Sequence, residues 1–128
     1  MRIESGCFRQ VLLLGPWAIK VPQTYSWKTF LRGMIANIDE RRVWHKWPKS
    51  LQHRLCPIIY AGAFGLVVIM PRLQLLSEGE LAYAFPTKSA FDKAIAVENW
   101  WIPVERKTDS WGWYKGFVVA IDYHELGE

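Results

Sequence analysis

Residues 8–22, Phe-Arg-Gln-Val-Leu-Leu-Leu-Gly-Pro-Trp-Ala-Ile-Lys-Val-Pro, decide the fold. Phe8–Leu14 and Trp17–Val21 are apolar runs typical of strands, and the Gly-Pro pair between them predicts a tight antiparallel hairpin. Alternation along the second run places Lys20 on the opposite face of the strand from Ile19. The sequence therefore predicts a hairpin that carries one charged side chain inside an otherwise apolar strand.

A long helix is predicted after this hairpin, over Thr29–Trp47. Its apolar residues recur near helical spacing, and we expect the core-facing side to consist of Phe30, Met34, Ile38 and Val43. The solvent face is expected to carry Arg32, Asp39, Arg41 and Arg42. Pro48 ends the helix, because proline has no backbone N–H to donate.

Shorter elements are predicted along the rest of the chain. They are an apolar hairpin of Leu55–Tyr60 and Leu66–Met70, short helices over Glu80–Ala84 and Ala90–Val97, a polar loop over 104–112, and a strand over Phe117–Ile121. Ser77 is expected to cap the first short helix. Together these elements predict an α+β fold, with a twisted antiparallel sheet of about five strands and one long helix, in a single domain over residues 1–128.

Composition narrows the class of protein. The chain has 128 residues, a net charge of +4 and 51% hydrophobic residues, which excludes a disordered or collagen-like chain. Its uncharged stretches are shorter than the ~20 residues that a membrane helix needs. Cys7 and Cys56 form no C-x-x-C motif and are predicted to be buried apolar side chains. With no targeting segment recognised, we expect a cytoplasmic protein without a membrane span.

Three charged residues are candidates for chemistry. Lys20 lies inside an apolar strand and needs a carboxylate partner if it is buried. Glu40 lies on the predicted helix, between Asp39 and Arg41. Asp122 directly follows the run Val-Val-Ala-Ile, a common position for a metal ligand. The alternative is that Lys20 lies on an edge strand facing water and Glu40 on an exposed helix surface.

The order of these features resembles the protein-kinase and aminoglycoside-phosphotransferase-like superfamily. The matching segments are Ser5–Val11 with Gly6 for the glycine-rich loop, Ala18-Ile19-Lys20 for the V-A-I-K strand, Glu40 for the αC glutamate, Leu66–Leu73 for the strand leading to the hinge, Lys107–Gly112 for the K-P-x-N-x-G run, and Ala120–Tyr123 for the I-D-[FWY] form of D-F-G. Each match is short, and the order of the set carries the resemblance.

The resemblance implies a division of the chain and a set of site residues. Residues 1–73 would be N-lobe-like and residues 74–128 a reduced C-lobe-like part. ATP and Mg²⁺ would be the cofactors, with Lys20, Glu40 and Gly6 at the nucleotide, Asp122 and Ser110 at the metal, and Glu105 at the catalytic position. Removing Lys20 would then leave Glu40 without its partner.

Departures from the family pattern favour a pseudokinase that acts through protein–protein interaction. Gly6 alone remains of the glycine-rich loop, Glu105 stands in place of the catalytic aspartate, and Ser110 in place of the metal-binding asparagine. Few residues are left for the helices that position a protein substrate, and positioning supplies most of the catalysis in phosphoryl transfer.

Two other functions are compatible with the sequence. Arg41–Arg54 joins basic residues to Trp44 and Trp47, a combination suited to nucleic acid, although cations at a helix C-terminus are also an ordinary solvated end. The chain also resembles small tryptophan-rich proteins encoded by bacteriophages, which implies a kinase-like scaffold that binds or inhibits a host protein. Its eight tryptophans would then either fill the core or line a partner surface.

Overall fold

Residues 2–97 and 100–124 are described by the computed structural model, and they form two compact units. The first unit contains residues 2–46 and 57–72 with His124, and the second contains residues 47–56, 73–97 and 100–123. The predictions of a single domain and of a division near residue 73 stay predictions.

The first unit is a five-stranded antiparallel sheet with one long helix. Its elements are β1 Arg2–Ser5, β2 Arg9–Leu14, β3 Trp17–Pro22, α1 Trp27–Lys46, β4 Tyr60–Ala61 and β5 Val68–Pro71. The strand order is β1-β2-β3-β5-β4, so β3 is the central strand. The predicted α+β class, the five-stranded antiparallel sheet and the long helix are confirmed.

The β2–β3 hairpin follows the predicted geometry. Leu14 pairs with Trp17 across the two-residue turn, and Gly15 has φ +57°, a conformation that glycine adopts at little cost. The second apolar hairpin is shorter than predicted. The strand that pairs with β5 consists of Tyr60 and Ala61, whereas Leu55 forms a bridge with Ala120.

The face predicted for α1 is wrong at Ile38 and Asp39. Val43 is buried and the three arginines of the predicted solvent face are exposed, as expected. The buried residues of the helix are Gly33, Ala36, Asn37, Asp39, Glu40 and Val43, whereas Ile38 is 47% exposed. Gly33 explains the choice of face, because a Cβ atom there would lie only 2.8 Å from the Cα of Pro22 in β3. The helix approaches the sheet through small and polar residues, and this close approach leaves much of its apolar side outward.

The second unit combines short strands with two short helices. Its elements are β6 Gln74–Leu75, α2 Glu78–Ala84, α3 Lys88–Ile95, β7 Ala96–Val97, β8 Trp100–Trp101, β9 Trp111–Tyr114 and β10 Phe117–Ala120. The predicted cap at Ser77 is confirmed: its hydroxyl accepts from Glu80 N, and Glu80 reaches back to Ser77 N. The predicted loop over 104–112 is wrong at its end, where Trp111 and Gly112 pair with β10.

Two further sequence predictions concern cysteine and the membrane. Cys56 is buried as predicted, but Cys7 is exposed, because it lies in the turn between β1 and β2. Among the described residues, no helix has the length and apolar character needed to cross a membrane.

Candidate functional site

Lys20 lies at the centre of the first unit's sheet. Its strand, β3, is hydrogen-bonded to β2 on one side and to β5 on the other, and the lysine side chain is only 7% exposed. The alternative of an edge strand facing water is therefore wrong. A charged ammonium at such a position requires a compensating group.

Glu40 supplies that group. The helix α1 brings its carboxylate to the sheet, where it is fully buried and accepts a hydrogen bond from Lys20 Nζ at Oε1, 2.9 Å away. Arg9 donates to both carboxylate oxygens, from Nη1 to Oε1 and from Nη2 to Oε2, each at 3.0 Å. This two-pronged contact is the strong geometry for an arginine and a carboxylate. Glu40 is thus shared by two cations from two neighbouring strands.

Asn37 lies one helical turn before Glu40 and fixes the surrounding backbone. Its amide nitrogen donates to the carbonyl of Lys20 at 3.2 Å and to the carbonyl of Gly65 at 2.9 Å. Its amide oxygen accepts from Arg9 Nη1 at 3.0 Å. All of these contacts are buried, so the lysine is positioned by its backbone as well as by its side-chain partner. We call Arg9, Lys20, Asn37 and Glu40 the buried charge cluster.

The charges of this cluster are two cations and one carboxylate. A carboxylate held between two cations can orient both. His124, also in the first unit, has a ring nitrogen within 4.8 Å of a Glu40 carboxylate oxygen. The arrangement is suited to presenting a positioned lysine to an anionic group, because phosphate and carboxylate oxygens are the usual partners of such cations.

Gly6, the other predicted nucleotide residue, lies in the exposed turn between β1 and β2. Its N–H donates to the carbonyl of Arg9 at 2.8 Å, and its own carbonyl accepts from Gln23 Nε2 at 3.2 Å. Tyr25 further ties the turn by donating from its hydroxyl to the carbonyl of Cys7 at 2.9 Å. The turn that carries Gly6 therefore connects directly to the backbone of the buried charge cluster at Arg9.

The remaining predicted site residues belong to the second unit. Glu105 has a half-exposed side chain, 3.6 Å from the ammonium of Lys107. Ser110 is buried, and its hydroxyl has no hydrogen-bond partner within residues 2–97 and 100–124. Ile121 N donates to Ser110 O at 2.9 Å, so the segment leading to Asp122 runs beside Ser110. The second unit thus brings the two predicted metal residues onto neighbouring segments.

Arg9 and Asn37 were missed at the level of sequence. A signal for Arg9 existed, because the two-residue turn sets the register of the hairpin and pairs Val11 with Lys20 and Arg9 with Pro22. Paired residues project from the same face of a sheet, and so do residues two apart. Arg9 and Lys20 therefore share a face. Asn37 carried no comparable signal, since its role depends on which side of α1 meets the sheet.

Comparison with known proteins identifies no relative: no protein-family model, curated protein or solved structure matches this chain. The function is therefore inferred from the geometry of the buried charge cluster and from the chemistry of its side chains.

Proposed function

We propose that this chain is a minimal kinase-like module of the pseudokinase type, which binds a nucleotide through Lys20. The observation that carries the proposal is the ion pair between Lys20 Nζ and Glu40 Oε1, 2.9 Å long and buried. In protein kinases, a lysine of the third strand contacts the nucleotide phosphates and is oriented by a glutamate of the helix that follows. Lys20 lies on β3, the third strand, and Glu40 lies on α1, the helix that follows it, so the two elements occur in the same order as in kinases.

The surroundings of the pair support a role in binding phosphate. Arg9 adds a second cation to the Glu40 carboxylate that Lys20 contacts. Phosphate oxygens are suitable anions for such a cluster. In this proposal residues 1–73 are the N-lobe-like part and residues 74–128 the reduced C-lobe-like part.

The proposed cofactors are ATP and Mg²⁺. Ser110 and Asp122 are the proposed metal residues, and oxygen donors of this kind suit Mg²⁺. The buried Ser110 hydroxyl, without a hydrogen-bond partner among the described residues, fits a ligand role. Glu105 takes the position of the catalytic base. The Glu105 side chain is one methylene longer than the aspartate of the family, and it is exposed. Both features favour nucleotide binding without efficient phosphoryl transfer.

The test is thermal unfolding of the full chain with ATP and Mg²⁺. A single site filled at 100 times its dissociation constant adds about 2.7 kcal/mol of stability. Lys20→Met removes the charge and keeps most of the volume, and we expect it to abolish the ATP-dependent stabilisation. Arg9 continues to pair with Glu40 in this variant, so the expectation that Glu40 loses its only partner is wrong and the fold should survive.

A matched control shows whether the loss of ATP binding comes from Lys20 itself or from the loss of any one positive charge. Lys28→Met removes an exposed lysine from α1 in the same unit, and it should leave the ATP-dependent shift unchanged. Equal shifts in wild type and Lys20→Met would exclude Lys20 from the phosphate site. No shift in wild type at millimolar ATP would contradict nucleotide binding by this chain. Repeating the titration with EDTA tests whether the shift depends on Mg²⁺.

An interaction module that binds a host protein is the second candidate. It is favoured by the exposure of large apolar side chains on α1, among them Trp27 at 75%. Binding of nucleic acid by Arg41–Arg54 gains less support. Trp47 is buried against Trp100, with ring centroids 6.2 Å apart, and a buried ring is not available to stack on a base.

A further inference from the structure

The outward side of α1 carries an unusual row of apolar side chains. Trp27, Leu31, Ile35 and Ile38 are 75%, 48%, 51% and 47% exposed. They lie within about 80° of one another around the helix axis, because successive residues turn by about 100°. An amphipathic helix normally buries such a row, but here the opposite side, with Gly33, Asn37 and Glu40, packs on the sheet.

Phe64 extends this row at one end. It directly precedes Gly65, where an added Cβ atom would lie 2.8 Å from Cγ1 of Ile38. Phe64 is 75% exposed and has φ +61°, a left-handed backbone conformation that is unfavourable for a bulky side chain. Strained residues of this kind occur preferentially where a side chain is presented to a ligand or partner. We call Trp27, Leu31, Ile35, Ile38 and Phe64 the apolar stripe.

The ionised side chains exposed on α1 all have one sign. Every exposed ionised side chain of α1 is basic, namely Lys28, Arg32, Arg41, Arg42 and Lys46. Its two acidic residues, Asp39 and Glu40, are buried. A partner that covers the stripe therefore meets cations along its edges, and acidic side chains on that partner are the complementary choice.

We propose that the apolar stripe is the docking site for an acidic amphipathic helix of a partner protein. Leu31, Ile35 and Ile38 follow the four–three spacing of a heptad seam, with leucine and isoleucine at the positions that a second helix contacts. Arg32 and Arg41 flank the seam, at positions where a partner helix carries glutamate. The proposal stands on the surface of the first unit and does not rest on nucleotide binding.

Two other occupants fit less well. A second copy of α1 would bring the basic flanks of two identical helices together, and like charges in contact are destabilising. A lipid surface is also attracted by cations, but a helix that lies on a membrane presents a wide apolar face, whereas the stripe is narrow. Both remain as outcomes of the experiment.

The experiment measures binding of a labelled probe peptide to the full chain by fluorescence anisotropy. The probe has about four heptads, with isoleucine and leucine on its seam and glutamate at the flanking positions. A control peptide has lysine at those flanking positions. We expect the acidic probe to bind at least about tenfold more tightly than the basic one, with affinity that falls as salt is added.

Variants place the binding on the stripe. Ile35→Glu should weaken the acidic probe at least about tenfold, since a charge enters the centre of the contact. Ile3→Glu is the matched control, because Ile3 is 53% exposed on β1, outside the stripe. The affinity of this variant for the acidic probe should stay within about twofold of wild type. Leu31→Gln is a second stripe variant for use if Ile35→Glu unfolds. Lys28→Gln with Arg41→Gln should reduce both the affinity and its salt dependence.

Three results would overturn the proposal. The first is equal binding of the acidic and basic probes, or equal effects of Ile35→Glu and Ile3→Glu. The second is self-association of the chain that Ile35→Glu abolishes, with no binding of the probe, which would make a second copy the occupant. The third is binding to vesicles containing phosphatidylserine without binding to the probe, which would make the stripe a membrane contact.

Discussion

Charged side chains are arranged in opposite ways in two regions of the molecule. In the buried charge cluster, Arg9, Lys20 and Glu40 come from three elements, 20 or more residues separate Glu40 from each cation, and no side chain is more than 7% exposed. In the loop of the second unit, Glu105 and Asp109 lie within two residues of Lys107. Those side chains are 36% to 64% exposed, and the pairs are 3.6 and 3.8 Å long.

This difference separates charges that the fold needs from charges that it tolerates. Water screens an exposed pair and solvates each member when the other is removed, so such a pair contributes little to stability. A buried pair has lost that solvation, and removing one member leaves a charge with neither water nor partner. The buried charge cluster should therefore be sensitive to substitution, and the loop should not.

The largest expected effect is that of Glu40→Gln. This change keeps the shape of the side chain but leaves Arg9 and Lys20 buried beside a neutral group, and we expect a loss of about 3–5 kcal/mol in the free energy of unfolding. Glu105→Gln should change it by less than about 0.5 kcal/mol. Urea unfolding of both variants measures the two changes in the free energy of unfolding. Equal changes would contradict the expected difference between the buried charge cluster and the loop.

A double-mutant cycle on Lys20 and Glu40 sharpens the same comparison. Lys20→Met alone should cost less than Glu40→Gln, because Arg9 still satisfies both oxygens of Glu40. The two changes together should differ from the sum of the single effects by about 1–3 kcal/mol. The matched cycle of Lys107→Met with Glu105→Gln should give a coupling below about 0.5 kcal/mol. A coupling near zero for Lys20 and Glu40 would remove the basis of the proposed phosphate site.

A pair of glycines tests the packing that brings Glu40 to the sheet. Gly33→Ala forces a methyl group against the backbone of Pro22 and should destabilise the chain by about 1–3 kcal/mol, although alanine favours a helix. Gly79→Ala in α2 meets nothing within 4 Å, so its effect should be neutral or stabilising by up to about 1 kcal/mol. Thermal unfolding of both variants measures this. A stabilised Gly33→Ala would mean that α1 does not pack this closely.

The smallest expected effect is a pH dependence in the second unit. The pKa of Glu80 is lowered from its ordinary value, chiefly because the N–H of Ser77 donates to its carboxylate, and Trp113 adds a weaker hydrogen bond. A lowered pKa stabilises the folded state above the pKa of the unfolded chain, and this contribution is lost as the pH falls through the folded value. Glu80→Gln should therefore lose less stability than wild type on acidification from about pH 6 to pH 3. Identical pH profiles would contradict the role of the Ser77–Glu80 cap.

Local features of the fold were predictable because they depend on neighbours in the sequence. Gly15 and Pro16 make a two-residue turn, and that turn sets the β2–β3 register. Ser77 and Glu80 are spaced for a capping box, which forms within one helical turn. A carboxylate partner for Lys20 was predictable because an apolar strand does not hold a lysine without compensation, and the resemblance to kinases indicated Glu40.

The chain by itself therefore determined the class of fold, the hairpin and the identity of the ion pair. Only the tertiary structure decided which side of α1 is buried, because the absence of a side chain at Gly33 lets the helix approach the sheet more closely than its apolar face could. That choice brought Asn37 and Glu40 inward to Arg9 and turned Ile35 and Ile38 outward. Hydrophobic spacing alone predicts Ile38 inward and Asp39 outward, since it counts apolar residues and takes no account of the space between backbones.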